Sequence, residues 1–164
     1  MKGYQTLLLA TGFLLLEQLT AGLATTPRFH GLGDLAGGSV WSMASDISAD
    51  GSTVVGDSYS ASGREAFRWT KASGLRALGV MPVENACSSA FSVSRDGRQV
   101  AGDIRTQDYA SEAFLWTEPN GFLLLGALVE PSASHWSTAA GVSDDGSVVV
   151  GTTLTNDPTP AQIA

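Results

Sequence analysis

The sequence predicts an all-β fold made of repeated four-stranded antiparallel blades, and three observations carry that reading. One dozen-residue phrase occurs three times, as "ISADGSTVVGDS" from Ile47, "VSRDGRQVAGDI" from Val93 and "VSDDGSVVVGTT" from Val142. Independent landmarks keep the same period of about 47 residues: Asp50-Gly51, Asp96-Gly97 and Asp145-Gly146; Leu32-Gly33, Leu78-Gly79 and Leu125-Gly126; Trp69-Thr70 and Trp116-Thr117. No long segment carries the 3.6-residue periodicity that helical repeats need. A period in the forties built from short strands belongs to propeller blades or solenoids.

Each unit divides into four strands. The segments "ASDIS" and "STVVGD" flank Asp50-Gly51, and a two-residue Asp-Gly loop predicts a tight type I′ hairpin, with Gly51, Gly97 and Gly146 at positive φ. "EAFRWT" from Glu65, repeated as "EAFLWT" from Glu112, alternates in the manner of a half-buried strand. The turns "KAS" and "EPN" then lead to "GLRALG" and "GFLLLG" as fourth strands. The units run approximately over residues 29–73, 74–120 and 121–164, the last incomplete. Closed propellers typically have about 4–8 blades, so three units predict an incomplete β-propeller. The chain starts after its leader with "RFHGLGDL", which aligns with a fourth strand, and ends with "PTPAQIA", which aligns with the start of "EAFRWT". The expectation is a piece of a longer array, or an open array whose terminal strands expose unpaired edges and self-associate.

Composition is consistent with one globular domain: 164 residues, 43% hydrophobic and 15% charged. Sixteen acidic against nine basic side chains give a net charge of -7, which disfavours nucleic acid and anionic lipid as partners. Residues 1–24 read as a signal peptide: Lys2, the apolar run "TLLLATGFLLL" and small residues near Ala24 follow in the expected order, with cleavage predicted after Ala24. An uncleaved anchor is the competing reading, but Glu17 interrupts the run well short of the ~20 apolar residues a spanning helix needs. Residues 25–164 are then the repeat domain, with no membrane insertion. The sole cysteine, Cys87, has no partner for an intramolecular disulfide.

The run "EAFRWTKASGLRALGVMP" followed by "SSAFSVSRDGRQVAGD" resembles the bacterial HAF-type extracellular repeat, with its F-x-W-T strand, G-L-x-x-L-G strand and V-S-x-D-G-x-x-V-V-G hairpin. "LGDLAGGSVWSMASDISADGSTVVGDSYSASGREAFRWT" looks like the same unit, and the resemblance covers nearly all of residues 29–164. It implies an exported bacterial protein of propeller-like β fold, secreted, surface-displayed or periplasmic. Similar repeats occur in autotransporter passenger regions. The resemblance carries no catalytic residues, and "LGVMPVE" and "LGALVEP" depart from the "LGDLAGG" pattern of the first unit.

No constellation specifies a reaction. Asp50, Asp96, Asp144 and Asp145 lack the alternating ligands and distant glutamate of an EF-hand, and Asp-Gly already serves the hairpin. The S-x-D-G phrase resembles the aspartate box of sialidase propellers, without its spacing or trailing tryptophan. His30 and His135 have no second histidine or cysteine at zinc-motif spacing and read as loop residues. No G-x-S-x-G elbow is present. Cys87 aligns with Trp41 and Trp136, which suggests an apolar packing position, and Glu65 and Glu112 recur with the repeat and so read as strand patterning. No cofactor or metal is expected. Loops on rigid scaffolds carry function, and those leading into each first strand hold Trp41, His135 and Trp136. The expectation is a non-catalytic module binding a glycan or protein through these residues; an extracellular glycosidase-like hydrolase on a propeller, or a remnant without function, are the alternatives.

Overall fold

The computed structural model describes residues 29–79, 85–106, 110–126 and 135–155. The signal segment and its cleavage point lie outside them, as does the segment 156–164. Contacts divide the chain into Met1–Gly31 and Leu32–Ala164. The second unit holds β1 (Gly37–Ile47), β2 (Thr53–Ser60), β3 (Gly63–Thr70), β4 (Gly74–Ala77), β5 (Cys87–Val93), β6 (Gln99–Arg105), β7 (Ser111–Thr117), β8 (Gly121–Gly126), β9 (His135–Val142) and β10 (Val149–Thr155). Every regular element among the described residues is a strand. The all-β expectation holds, and the four strands expected in each of the first two units and the hairpin of the third are present; the described part of "RFHGLGDL", aligned with a fourth strand, is not a strand, and "PTPAQIA" lies outside the described residues.

Strands β1 to β4 form one sheet in chain order, all antiparallel. Strands β5 to β8 pair antiparallel in the same order. The hairpin of β9 and β10 does not stand apart. A single parallel bridge, Ser111 to Trp136, ties it to β7 and makes the second sheet six-stranded. The described residues thus form two sheets rather than a closed ring of blades.

The first hairpin of each repeat has the same bulge. Register shifts fall beside Ala44 on β1, Ala90 on β5 and Ala139 on β9, whose partners are Gly56, Gly102 and Gly151. A Cβ on any of these glycines would overlap the carbonyl oxygen of Met43, Ser89 or Thr138 respectively. Here glycine is demanded by close backbone approach at the bulge rather than by its dihedrals.

The connecting turn differs from the expected two-residue type I′ loop. Gly51, Gly97 and Gly146 are at φ 72°, 72° and 74° as predicted, but no aspartate of these turns has positive φ, which a type I′ turn requires at both central positions. Instead the Gly51, Gly97 and Gly146 amides donate to the Ser48, Ser94 and Ser143 carbonyls, three residues back. A serine–aspartate network decides the geometry. The Ser48 hydroxyl donates to Asp50 at 2.7 Å while accepting the Thr53 amide at 3.0 Å, and the same Asp50 oxygen accepts the Ser52 amide at 2.9 Å. Ser94 and Asp96 repeat this with the Gln99 and Arg98 amides, and Ser143 and Asp145 with those of Val148 and Ser147. Hydrogen bonds to the ionised form hold the carboxyls below their usual range. Asp50 falls to about 2, chiefly through the Ser52 amide, and Asp145 to about 2, chiefly through the Ser143 hydroxyl. Asp96 is lowered as well, chiefly by Ser94.

Successive turns are also joined to one another. The Ala49 amide donates to the Arg95 carbonyl at 3.3 Å, and the Arg95 amide donates to the Asp144 carbonyl at 3.1 Å. Beside them, the Val93 amide donates to the Asp46 carboxylate and the Val142 amide to the Ser92 hydroxyl. Apolar packing follows the same succession. Val55 and Ala66 of the four-stranded sheet, with Leu78 just after its last strand, share a core with Ala90, Val100, Ile104, Phe114 and Trp116 of the next sheet. Between the second and third repeats the described core is Ala101, Ala113 and Ala139, flanked by Val142 and Val149.

Two outcomes follow from these turns. In Gly51→Ala and Gly97→Ala alike, the left-handed backbone costs about 1–2 kcal/mol. The new Cβ of Gly97→Ala also strikes the Thr53 side chain, whereas at Gly51 the nearest atom is Ile47 Cδ1 at 4.0 Å. Urea denaturation should therefore show the larger loss for Gly97→Ala, and equal losses would contradict the stacking of turns. As for pH, these carboxyls titrate lower in the folded state than the unfolded value of about 3.9. Their stabilisation is whole above roughly pH 4 and is lost as pH falls from there through about 2. Denaturant midpoints between those pH values should fall less steeply for Asp145→Asn than for the parent chain.

Candidate functional site

Trp41 lies inside β1 rather than in the loop before it, and 39% of it is exposed. Its ring stands 5.4 Å from that of Tyr59 on β2, tilted by 58°, and Tyr59 is 40% exposed. The Arg64 guanidinium, on β3, sits 5.4 Å from the Trp41 ring centroid. Adjacent antiparallel strands bring these three together, since Tyr59 and Arg64 are directly paired. The result is an open shelf of two aromatic faces and one cation.

Arg64 is held from below. Its Nε donates at 2.5 Å to Oδ2 of Asp57, whose side chain is fully buried. This bond is the main cause of a guanidinium pKa above its ordinary value. The other Asp57 oxygen, Oδ1, has no partner among the described residues, so Arg64 is the cation that offsets a buried charge. Next to it, the Ser60 hydroxyl donates to the Glu65 carboxylate.

The other repeats do not rebuild the shelf. In the second, the places of Trp41, Tyr59 and Arg64 are taken by Cys87, Arg105 and Ser111, and Asp103 is satisfied on one oxygen by Arg105 and Ser111, each at 3.1 Å. Cys87 is exposed, so the position shared with Trp41 and Trp136 is not the apolar packing site expected from the alignment. In the third, Trp136 pairs across β9 and β10 with the exposed Leu154. His135 and Trp136 are the first two residues of β9, where His135 faces Thr155 and half-buried Trp136 carries the bridge to Ser111. Both are strand residues rather than loop residues. They belong to the six-stranded sheet, whereas Trp41 belongs to the four-stranded one. Tyr59 and Arg64 were not expected at a site, although both depart from their repeat partners Arg105 and Ser111, and that departure is legible in the sequence.

Another repeated position proves to be scaffold. Ser42, Ser88 and Ser137 stand immediately after Trp41, Cys87 and Trp136. The Ser88 and Ser137 hydroxyls accept the Ala66 and Ala113 amides of the preceding repeat at 2.9 and 3.0 Å, and those of Ser42 and Ser137 donate to the Gly33 and Gly126 carbonyls. At the turn end of the sheets a shallow cleft is lined by Arg68, Asp96, Arg98, Gln99, Glu118 and Asn120. Three of its charges have partners: Arg98 lies 3.7 Å from Asp96, and Arg68 Nε donates to the Gly97 carbonyl. Among the described residues no three His, Cys, Asp or Glu side chains are grouped to hold a metal ion.

Comparison of the chain with models of protein families gives no match, and comparison with curated proteins gives none.

The pairing beneath the shelf has a measurable consequence. Arg64→Ala should destabilise the chain by about 3 kcal/mol, because it strands a buried carboxylate. Adding Asp57→Asn to it should recover part of that loss in thermal or urea denaturation. Full additivity of the two substitutions would show that the ion pair is not what Arg64 contributes.

Proposed function

We propose that this chain is an exported, non-catalytic interaction module. In this reading the antiparallel sheets are consecutive blades of a β-propeller-like array, and a glycan or protein ligand rests on the shelf of Trp41, Tyr59 and Arg64. The single observation that supports it most is the convergence of these three side chains where the repeat is broken. Two rings with open faces offer stacking area to the apolar face of a sugar ring or to an aromatic side chain. Arg64 adds donors for a hydroxyl or carboxylate, and its ion pair with Asp57 keeps it in place without conformational cost on binding. Export rests on the N-terminal pattern of a charged start, an apolar run and small residues. The net charge of -7 speaks against nucleic acid and anionic lipid as the partner.

The test is a glycan and protein array probed with the purified chain, with glycosidic and ester substrates assayed in parallel. The expected result is a retained ligand whose affinity drops about tenfold or more on Trp41→Ala, a loss of roughly 1.4 kcal/mol, with an unchanged melting curve. Binding that survives Trp41→Ala but disappears with Trp136→Ala would move the site to the six-stranded sheet. Turnover of a substrate would replace the binding reading altogether.

A further inference from the structure

We infer that the edge of β10 that no described strand covers is a docking site for one antiparallel strand of the Ala-Phe-x-Trp-Thr type. The inference rests on repeat correspondence within the chain and is independent of what binds the shelf.

Strands β2, β6 and β10 are the same segment in three copies, each paired on one side with the first strand of its repeat. On the other side β2 is covered by β3 and β6 by β7, in one register: Gly56 faces Phe67 and Gly102 faces Phe114, while Val54 faces Trp69 and Val100 faces Trp116. No strand among the described residues covers that side of β10. The strand reads "VVGTTLT", with none of the charges or prolines that blunt an exposed edge.

A strand on that side would also complete a packing surface. On the preceding sheet, β7 lays Phe114 and Trp116 over Val55, Ala66 and Leu78, and the Trp116 indole donates to the Leu78 carbonyl at 2.7 Å. Leu78 is thereby 7% exposed. One repeat on, Leu125 holds the place of Leu78 and is 42% exposed, and among the described residues the core there holds alanines, with Val142 and Val149 at its margin. A docked strand continues the interface that β7 already makes. Its phenylalanine comes opposite Gly151, where no Cβ obstructs it, its tryptophan opposite Val149, and the indole reaches the Leu125 carbonyl. This footprint selects an aromatic strand in one register, which a second β10 edge, with no aromatic residue, does not supply.

The test titrates a fluorescently labelled peptide of residues 63–79, which carries "GREAFRWT" and the strand after it, into the intact chain. Saturable one-to-one binding is expected, weakened about tenfold or more when the peptide carries Phe67→Asp or when the chain carries Val149→Pro, which removes an edge donor. Leu125→Glu, on an exposed side chain, should weaken binding similarly while leaving the melting curve in place. It keeps the test decisive if Val149→Pro fails to fold. Absence of saturable binding, binding indifferent to Val149→Pro and Leu125→Glu, or a dimer through paired β10 edges that the peptide does not dissociate, would each overturn the inference.

Discussion

The hydrogen-bonded succession of Ser-x-Asp-Gly turns is the constraint on which the rest of the structure depends. A turn leaves backbone groups without partners, and each must find one or face solvent. Here the aspartate and serine take up the amides within a turn, and the Ala49 and Arg95 amides go to the carbonyls of the next turn. One side of each turn is thus the partner of the one before it. The spacing between turns has to be kept, because a repeat of different length would offset the amide from its carbonyl. The period near 47 residues is in this sense the sequence expression of a distance.

Polar links rather than large side chains then carry much of the contact between repeats. Ser88 and Ser137 receive amides from the repeat before them, and Asp46 and Ser92 receive amides from the one after. Each such bond contributes on the order of 1 kcal/mol net, but leaving a buried partner unmade costs more. Small residues keep these distances short: the bulge glycines, and alanines such as Ala90 and Ala139 opposite them. The cores on the two sides of the second repeat are unequal. Phe114 and Trp116 fill the first, and among the described residues no aromatic side chain fills the second. Stability in an array is a sum over such neighbours, so among the described residues the last hairpin has the smallest apolar interface with its neighbour.

The shelf is set apart from this framework. Trp41, Tyr59 and Arg64 lie at strand positions whose equivalents in the second repeat are Cys87, Arg105 and Ser111. They can differ between repeats because the turns, the bulges and the serines after Trp41, Cys87 and Trp136 already fix the backbone. The buried aspartate is kept in both sheets, while its arginine moves from Arg64 on β3 to Arg105 on β6. Exchanging strands preserves the charge pairing and frees one surface for two aromatic rings.

The sequence by itself determined what is local. Ten strands, the hairpin at each Asp-Gly and the positive φ of three glycines follow from alternation and from the absence of a Cβ, and neither needs a neighbour to be known. The tertiary structure alone decided what depends on a second segment. The turn type was misjudged because Asp50 is tied to Ser48 and Ser52 rather than driven to positive φ. The exposure of Cys87, where alignment with tryptophans suggests packing, and of Val150, where alignment with Val55 suggests burial, depends on which segment packs against each. So does the shelf, since Trp41, Tyr59 and Arg64 meet only once three strands are in register. A repeat records what every copy needs, and the differences between copies gain meaning only from the partners that packing brings to each.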